Sequence, residues 1–365
     1  MAKINPFSEI VERTQDLTRS NADTKQRIRG IVNDVYTTDI TKEYDWSWLK
    51  ASSAISCIAQ FNTGVVTVST QGTIVTMSGA TTIDTTFTGR KIKFGDNPDV
   101  YDVTYLGTTG VTISPPLSGA TNISDGTYTI FKNIFSLPGD FDRFPINGGL
   151  LSYQGGQPTP LPELMDDDYY AQVNASPTTI PDNCRMLGYD ASGNLQVEII
   201  PPPASAYILV EEYIKSLDPM KENTAGTIVM SSNSLVVTGT STIFNTMSAG
   251  DYVRADNFGK STDSVWYRIS AITSNTNMTL ATVFRTDSSY TGAFTISSAP
   301  KMPSKLQSAI MWGAIMKILP DQKDPMFIMA KIEYERSIKD NKVMEQNRHS
   351  KDNVGLIAED MEYRR

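Results

Sequence analysis

The side chains able to do acid–base or nucleophilic chemistry are few and scattered. The single histidine, His349, lies in the polar stretch EQNRHSKDN (345–353). A histidine base needs an ordered cleft and an orienting partner, so the expectation here is a solitary exposed side chain. Cys57 and Cys184 stand far apart in sequence with no partner at metal-ligand spacing. Two thiols make no disulfide framework, which points to a reducing compartment. The acidic run Asp166-Asp167-Asp168 and the stretch Gly95-Asp96-Asn97-Pro98-Asp99 offer oxygens to a hard cation. Neither has the spaced alternation and distal bidentate glutamate of a calcium loop, so both read as solvated acidic turns. Phosphate-binding, nucleophile-elbow, zincin and dinucleotide motifs are missing from the sequence, and no motif nominates a carboxylate pair. The expectation is a protein that is not an enzyme, with no catalytic residue, no metal and no cofactor.

Composition describes a globular chain: 365 residues, 39% hydrophobic and 20% charged, enough for two or three domains. Lysine and arginine total 32 against 40 acidic residues, a net charge of −8. Such a balance argues against general affinity for phosphate backbones. The opening MAKINPFSEIVERTQ has no apolar stretch of signal-peptide length, and no apolar run is long enough to span a bilayer. Synthesis and folding in a cytoplasm are therefore expected.

Helical periodicity marks both ends. Asn5-Pro6 reads as a cap and first helical position before Phe7, Ile10, Val11 and Leu17, and Ser20 with Asp23 reads as a second start. Pro303 and Asp324-Pro325 open two more stretches, with Phe327, Ala330, Tyr334 and Ile338 on one stripe of the last. Between them the period becomes two. GVVTVSTQGTIVTMSGATTIDTTFTGRKIKF (64–94) returns as GTIVMSSNSLVVTGTSTIFNTMSAGDYVRA (226–255), Gly64 aligning with Gly226 and Val75-Thr76 with Val237-Thr238. YDVTYLGTTGVTI (101–113) likewise mirrors YRISAITSNTNMTL (267–280), and TYTIF (127–131) mirrors AFTIS (293–297). An internal repeat of about 70 residues follows, too few copies for a solenoid and read as two small β-sandwiches or barrels.

The expected fold is α+β: a helical bundle built from 1–60 with 299–348, carrying β unit 1 at 61–135 and β unit 2 at 226–298. An extended loop or arm at 136–183, a β segment at 184–225 and a C-terminal tail at 349–365 complete it. Trp46, Trp48 and Leu49 sit where the helices meet the first β unit and are read as the seam of the core. Trp46 is expected against the C-terminal helices near Trp312 or Ile315, with Phe327 and Tyr334 in the same core. Val354, Leu356, Ile357, Met361 and Tyr363 punctuate a charged tail, which suits ordering on a partner.

The order of these features resembles the head-to-tail adaptor (connector) proteins of tailed bacteriophages. Its carriers are Trp46, Trp48 and Leu49; Gly89-Arg90-Lys91-Ile92; Leu137-Pro138-Gly139-Asp140-Phe141-Asp142-Arg143; Pro202-Pro203 before Tyr207-Ile208-Leu209; and Met302-Pro303-Ser304-Lys305-Leu306 with the helix bearing Glu333 and Glu335. The resemblance implies a structural virion protein at the neck, in the host cytoplasm before assembly. It implies a dodecameric ring of this chain beneath the portal protein, contacting tail, nozzle or fibre proteins. Genomic DNA would pass its lumen without specific binding, and no membrane is involved. Another neck or tail-completion ring on a similar plan is the nearest alternative. A virion glycan-binding protein is the rival from a different class, but of Tyr252, Trp266 and Tyr267 in the second unit only Tyr267 has an aromatic counterpart, Tyr101, in the first.

Overall fold

The computed structural model describes residues 5–19, 25–80, 83–119, 121–145, 149–154, 157–164, 169, 177–178, 181–256, 265–285, 288–319 and 321–362, with the backbone alone at 153–154, 157–158 and 347–362. The chain divides into two compact units, Lys50–Ser216 and a discontinuous one of Met1–Leu49 with Leu217–Arg365.

In the first of these, β1 (Lys50–Cys57) leads into a run of short strands: β2 (Val65–Val68), β3 (Ile74–Ser78), β4 (Arg90–Phe94), β5 (Val100–Gly107), β6 (Gly110–Ser114), β7 (Ile123–Gly126) and β8 (Tyr128–Phe131). They pair in the order β7-β2-β3-β6-β5-β4-β8, every pair antiparallel. Only Thr127 separates β7 from β8, so the two edges of the sheet are halves of one bent strand and the sheet closes as a small barrel. Alternation places Val66, Val75, Ile92, Val111 and Ile130 inside, each fully buried.

The rest of this unit forms two further sheets. β9 (Ile134–Ser136) pairs with β14 (Leu195–Ile200), which pairs with β13 (Asn183–Tyr189). β15 (Tyr207–Lys215) takes β1 on one side, and β10 (Phe141–Arg143) and β11 (Leu150–Gln154) on the other. β12 (Gln157–Pro160) continues from β11. Glu198, 2% exposed, accepts a hydrogen bond from Asn133 Nδ2 at 2.7 Å and lies 3.7 Å from Lys91 Nζ of β4, tying barrel to neighbouring sheet.

The other unit holds α1 (Phe7–Thr18) and α2 (Lys25–Asp34), which runs on as a π-helical turn (Val35–Asp39) and a last turn (Ile40–Lys42). Next come β16 (Glu222–Asn223), β17 (Thr227–Met230), β18 (Val236–Thr240), β19 (Tyr252–Ala255), β20 (Tyr267–Ser274), β21 (Asn277–Leu280), β22 (Tyr290–Gly292) and β23 (Phe294–Ser297). α3 (Gln307–Ile318) and α4 (Pro325–Glu362) end the chain. Asn5 does not cap α1: the first free amides, Phe7 N and Ser8 N, donate to Ser298 O at 2.9 Å and Ser297 Oγ at 2.8 Å, so the end of β23 serves as the cap. Ser20 and Asp23, read as the next helix start, lie outside the described residues.

Strands β17 to β23 repeat the first barrel's order strand for strand, β22-β17-β18-β21-β20-β19-β23, with Ala293 at the bend and β16 added beside β23. The repeat reaches the backbone. Gly64 and Gly226 take φ of +88° and +91°, and a Cβ on either would press on a carbonyl oxygen, of Ser78 at 2.3 Å or Thr240 at 2.4 Å. Only glycine fits both positions. Inside, one of the exchanges between the copies relocates an aromatic ring. Tyr101 packs on Phe94 at 5.5 Å between ring centroids, whereas its counterpart Tyr267 packs on Phe284 at 5.4 Å. Strand position 94 is Ala255 in the second barrel. Leu117, whose carbonyl accepts from Gln71 N as that of Phe284 does from Asn233 N, takes the smaller role in the first.

The expected α+β bundle with inserted β units is corrected by this architecture. Among the described residues strand makes up 38% and helix 25%, so the described structure is mostly β, with several antiparallel sheets and four helices. The reason is that segments outside the repeat also build sheets. β1 and β15 pair across more than a hundred and forty intervening residues, Lys50 opposite Ile214 and Cys57 opposite Tyr207. The stretch read as an arm holds the β11–β12 hairpin, and the helices share their unit with the second barrel.

Two substitutions probe this packing. Phe94→Ala is expected to destabilise the Lys50–Ser216 unit by about 3–5 kcal/mol in urea denaturation. Adding Leu117→Phe should restore about 1–2 kcal/mol of that, because the second barrel already uses this arrangement. Trp46→Ala, deleting a ring that is 1% exposed, should cost the other unit about 3–5 kcal/mol, and an unchanged midpoint would contradict the seam reading.

Candidate interaction sites

The residues first considered for chemistry do not converge. His349 lies in α4 where only the backbone is described, and Asp166–Asp168 fall outside the described residues. The Gly95–Asp99 stretch is a tight turn after β4, where Asn97 Oδ1 accepts from Asp99 N at 2.9 Å. The Asp99 carboxylate is taken up by Ser118 Oγ and faces the Tyr101 hydroxyl at 3.4 Å. No group of three or more His, Cys, Asp or Glu that could hold a metal occurs among the described residues. Both cysteines are free and buried; burial pushes the Cys57 thiol up to about 11 and that of Cys184 up to about 12, away from thiolate reactivity.

The seam residues separate by role. The chain makes a short 3₁₀ turn over Ser47–Leu49, which points the two tryptophans different ways. Trp46 is buried, its indole N–H donating to Ile40 O at 2.7 Å and its ring edge-on to Tyr44 at 5.3 Å, and Leu49 is fully buried beside it in sequence. Trp48 is half-buried and its indole nitrogen has no hydrogen-bond partner among the described residues.

The helices are organised around α3, whose residues are mostly apolar. Gly313 makes this possible, since a Cβ there would meet Val35 Cγ1 at 2.7 Å and the Tyr334 ring at 3.1 Å. Lys317 of α3 reaches Asp39 at 2.6 Å, and Lys342 of α4 reaches Glu43 at 3.0 Å. Burial, then the charges of Glu43 and Asp39, raises the Tyr334 phenol well above its ordinary value. Trp312 and Phe327 are half-buried.

α4 starts where the Asp324-Pro325 signal put it, with Asp324 Oδ1 accepting from Met326 N at 2.7 Å. One stripe, through Ala330, Ile338 and Asn341, is buried, while Ile328, Met329, Ile332 and Val343 are exposed. The helix does not stop where its apolar periodicity fades after Met344 but continues to Glu362. Val354, Leu356, Ile357 and Met361 therefore lie on α4, with Val354, Ile357 and Met361 at one helical stripe's spacing. Tyr363 lies outside the described residues.

Two features escaped the sequence reading. A cleft of about 330 Å³ opens on the first barrel, lined by Phe94, Gly95, Leu117, Ile123, Gly126 and Thr127 among others. The second feature is Glu211, fully buried on β15 between Ser53 of β1 and Leu150 of β11, with no partner for either carboxylate oxygen among the described residues. It alternates with buried Leu209 and Tyr213, so the period-two pattern of YILVEEYIK could have marked it. Burial and the nearby charge of Asp140, which accepts from Tyr213 Oη at 2.8 Å, push it up to about 7.

A folded value above the unfolded 4.5 means the folded state holds the proton longer, so this group's stabilisation is lost as pH rises toward 7. Glu211→Gln is expected to flatten stability between about pH 5 and pH 8, removing a slope worth about 3 kcal/mol in the wild type by urea denaturation. An equal slope in both proteins would assign the effect elsewhere.

No protein-family model matches this chain, and no curated protein is found similar to it.

Proposed function

We propose that the chain is a structural, non-enzymatic subunit of the virion neck of a tailed bacteriophage, a head-to-tail adaptor whose ring joins the portal to the tail. The observation that carries this reading is the disproportion of the α3–α4 hairpin. At 1.5 Å per residue the 12 residues of α3 reach about 18 Å, and the 38 of α4 about 57 Å. Most of α4 therefore extends past the helix it packs on, and its distal part carries Val354, Ile357 and Met361 in one stripe. A long helix with an apolar stripe is suited to a groove on a partner, and the portal is the partner this reading names. Two barrels with apolar core clusters add contact surface for tail or fibre proteins. A net charge of −8 suits a conduit that lets duplex DNA pass without gripping it.

The test is negative-stain imaging and pull-down of the purified chain with a portal ring, with and without residues 349–365. The full chain is expected to cap the portal as a ring and the truncated chain to lose that binding. Undiminished binding after truncation would overturn the docking role of α4.

A further inference from the structure

The sheet ordered β1-β15-β11-β12 ends on two strands that are finished differently. Backbone alternation tells which groups point out of it. Glu212 N donates to Gly149 O at 3.1 Å and Ser216 N to Asp140 O at 2.7 Å, so the even-numbered residues of β15 turn toward β11 and β10. The odd-numbered ones turn toward β1, where Tyr213, Glu211, Leu209 and Tyr207 form hydrogen-bonded pairs with Ala51, Ser53, Ile55 and Cys57. The amides and carbonyls of Lys50, Ser52, Ala54 and Ser56 are therefore aimed away from the sheet. Among the described residues no other strand or backbone group takes them up, and all four residues are exposed.

The far strand is blunted. The same alternation, carried through Val210 opposite Leu151, turns Pro158 and Pro160 of β12 outward, where proline offers no N–H. β1 has no such guard. It holds no proline, no charge from Ala51 to Cys57, and no break in its register with β15. An edge of eight residues left in this state is a template for another strand.

The pattern of β1 fits itself. Turned about a two-fold axis through Ser53 and normal to the sheet, a second β1 runs antiparallel to the first. Lys50 then faces Ser56 of the other copy and Ser52 faces Ala54, each as a hydrogen-bonded pair, so every outward amide and carbonyl finds a partner. An axis between two residues would set exposed positions against buried ones. An axis at Ala54 would leave Lys50 facing Ile58, past the end of the strand. With the axis at Ser53 the lysines lie at opposite ends of the ribbon and no like charges meet. Lys50 also comes to lie across the small Ser56 from Ile208, which is 58% exposed, where its methylene stem covers that side chain.

We propose that β1 is a dimerisation edge, and that its occupant is β1 of a second copy of this chain, paired antiparallel about Ser53. The contact is isologous and closes at two copies. It goes beyond the neck reading and does not rest on it, because it concerns the free chain.

Sedimentation velocity of the full-length chain over a concentration series, with no portal present, is expected to show monomer and dimer in equilibrium. Ala54→Pro removes an amide that the folded chain leaves unbonded, so the urea midpoint should hold while the dimer Kd rises at least about tenfold. Ser53→Cys puts two thiols at the axis, in a non-hydrogen-bonded pair with Cα atoms about 4.5 Å apart, within disulfide reach. Mild oxidation should trap it as a covalent dimer. Ala51→Cys, whose two copies are displaced along the ribbon, should not be trapped. A wild type that stays monomeric, a folded Ala54→Pro variant that dimerises like the wild type, or a Ser53→Cys variant that cross-links no faster than Ala51→Cys would overturn the proposal. Should Ala54→Pro fail to fold, Ser52→Lys on the exposed face replaces it, setting an added lysine on each side of the axis. It should weaken the dimer as much, and an unchanged dimer would again overturn the named edge.

Discussion

Closure of each small sheet by one bent strand is the constraint on which much of the structure depends. A sheet of short, threonine-rich strands left open would expose a row of unpaired backbone groups on both edges. Bending at Thr127 or Ala293 lets one strand complete both edges, and the interior then has a fixed volume that alternate side chains must fill. The left-handed glycines Gly64 and Gly226, set against a carbonyl oxygen, follow from the same closure. What leaves each barrel is fixed by it too. β8 hands the chain to β9 and the Asn133–Glu198–Lys91 cluster, while the end of β23 supplies the acceptors for the first amides of α1. The barrels are anchors for the elements around them.

The helices obey a different constraint, close approach. α3 is mostly apolar and has neighbours on several sides, and Gly313 is the point where Val35 and Tyr334 both come within contact. The ion pairs Lys317–Asp39 and Lys342–Glu43 sit at the margins of this packing and set register more than stability. Among the described residues no three His, Cys, Asp or Glu side chains gather where they could hold a metal, and the Arg254–Glu12–Asp256 cluster is a set of ion pairs. The surfaces that stand out instead are shapes: a long helix with an apolar stripe, an open cleft, a strand with an unpaired edge.

Much of this was legible in the residues. The repeat of Gly64 in Gly226 and of Tyr101 in Tyr267 reflects one local pattern used twice, and Asp324-Pro325 marks the start of α4 through a bond made within three residues. What could not be read is what depends on distant partners. β1 and β15 carry ordinary strand patterns, but that Ser53 lies opposite Glu211 follows from their long-range register, and so does the burial of that carboxylate. The fold class was misjudged for the same reason: segments between the repeats looked like connectors because their hydrogen-bonding partners lie far away in sequence. The cap of α1 shows the effect in miniature, with Asn5 displaced by Ser297 and Ser298 nearly three hundred residues on. The cleft was hidden because Phe94–Asn97 and Leu117–Thr127 come to line it together only once the strands of each copy are matched.

That matching has a consequence for how the chain folds. Two barrels of identical strand order on one polypeptide could exchange strands, a characteristic failure of repeat proteins. The relocated aromatic partner works against it. A hybrid drawing β4 from the first copy and the segment after β21 from the second would crowd Phe94 and Phe284 around one tyrosine. The reciprocal hybrid would set Ala255 against Leu117 and leave a void. Overpacking and cavities both cost stability, so each barrel is completed best by its own strands. The exchange of one large residue between two positions thus acts as a kinship marker, letting two copies of a fold share a chain without mistaking each other's strands.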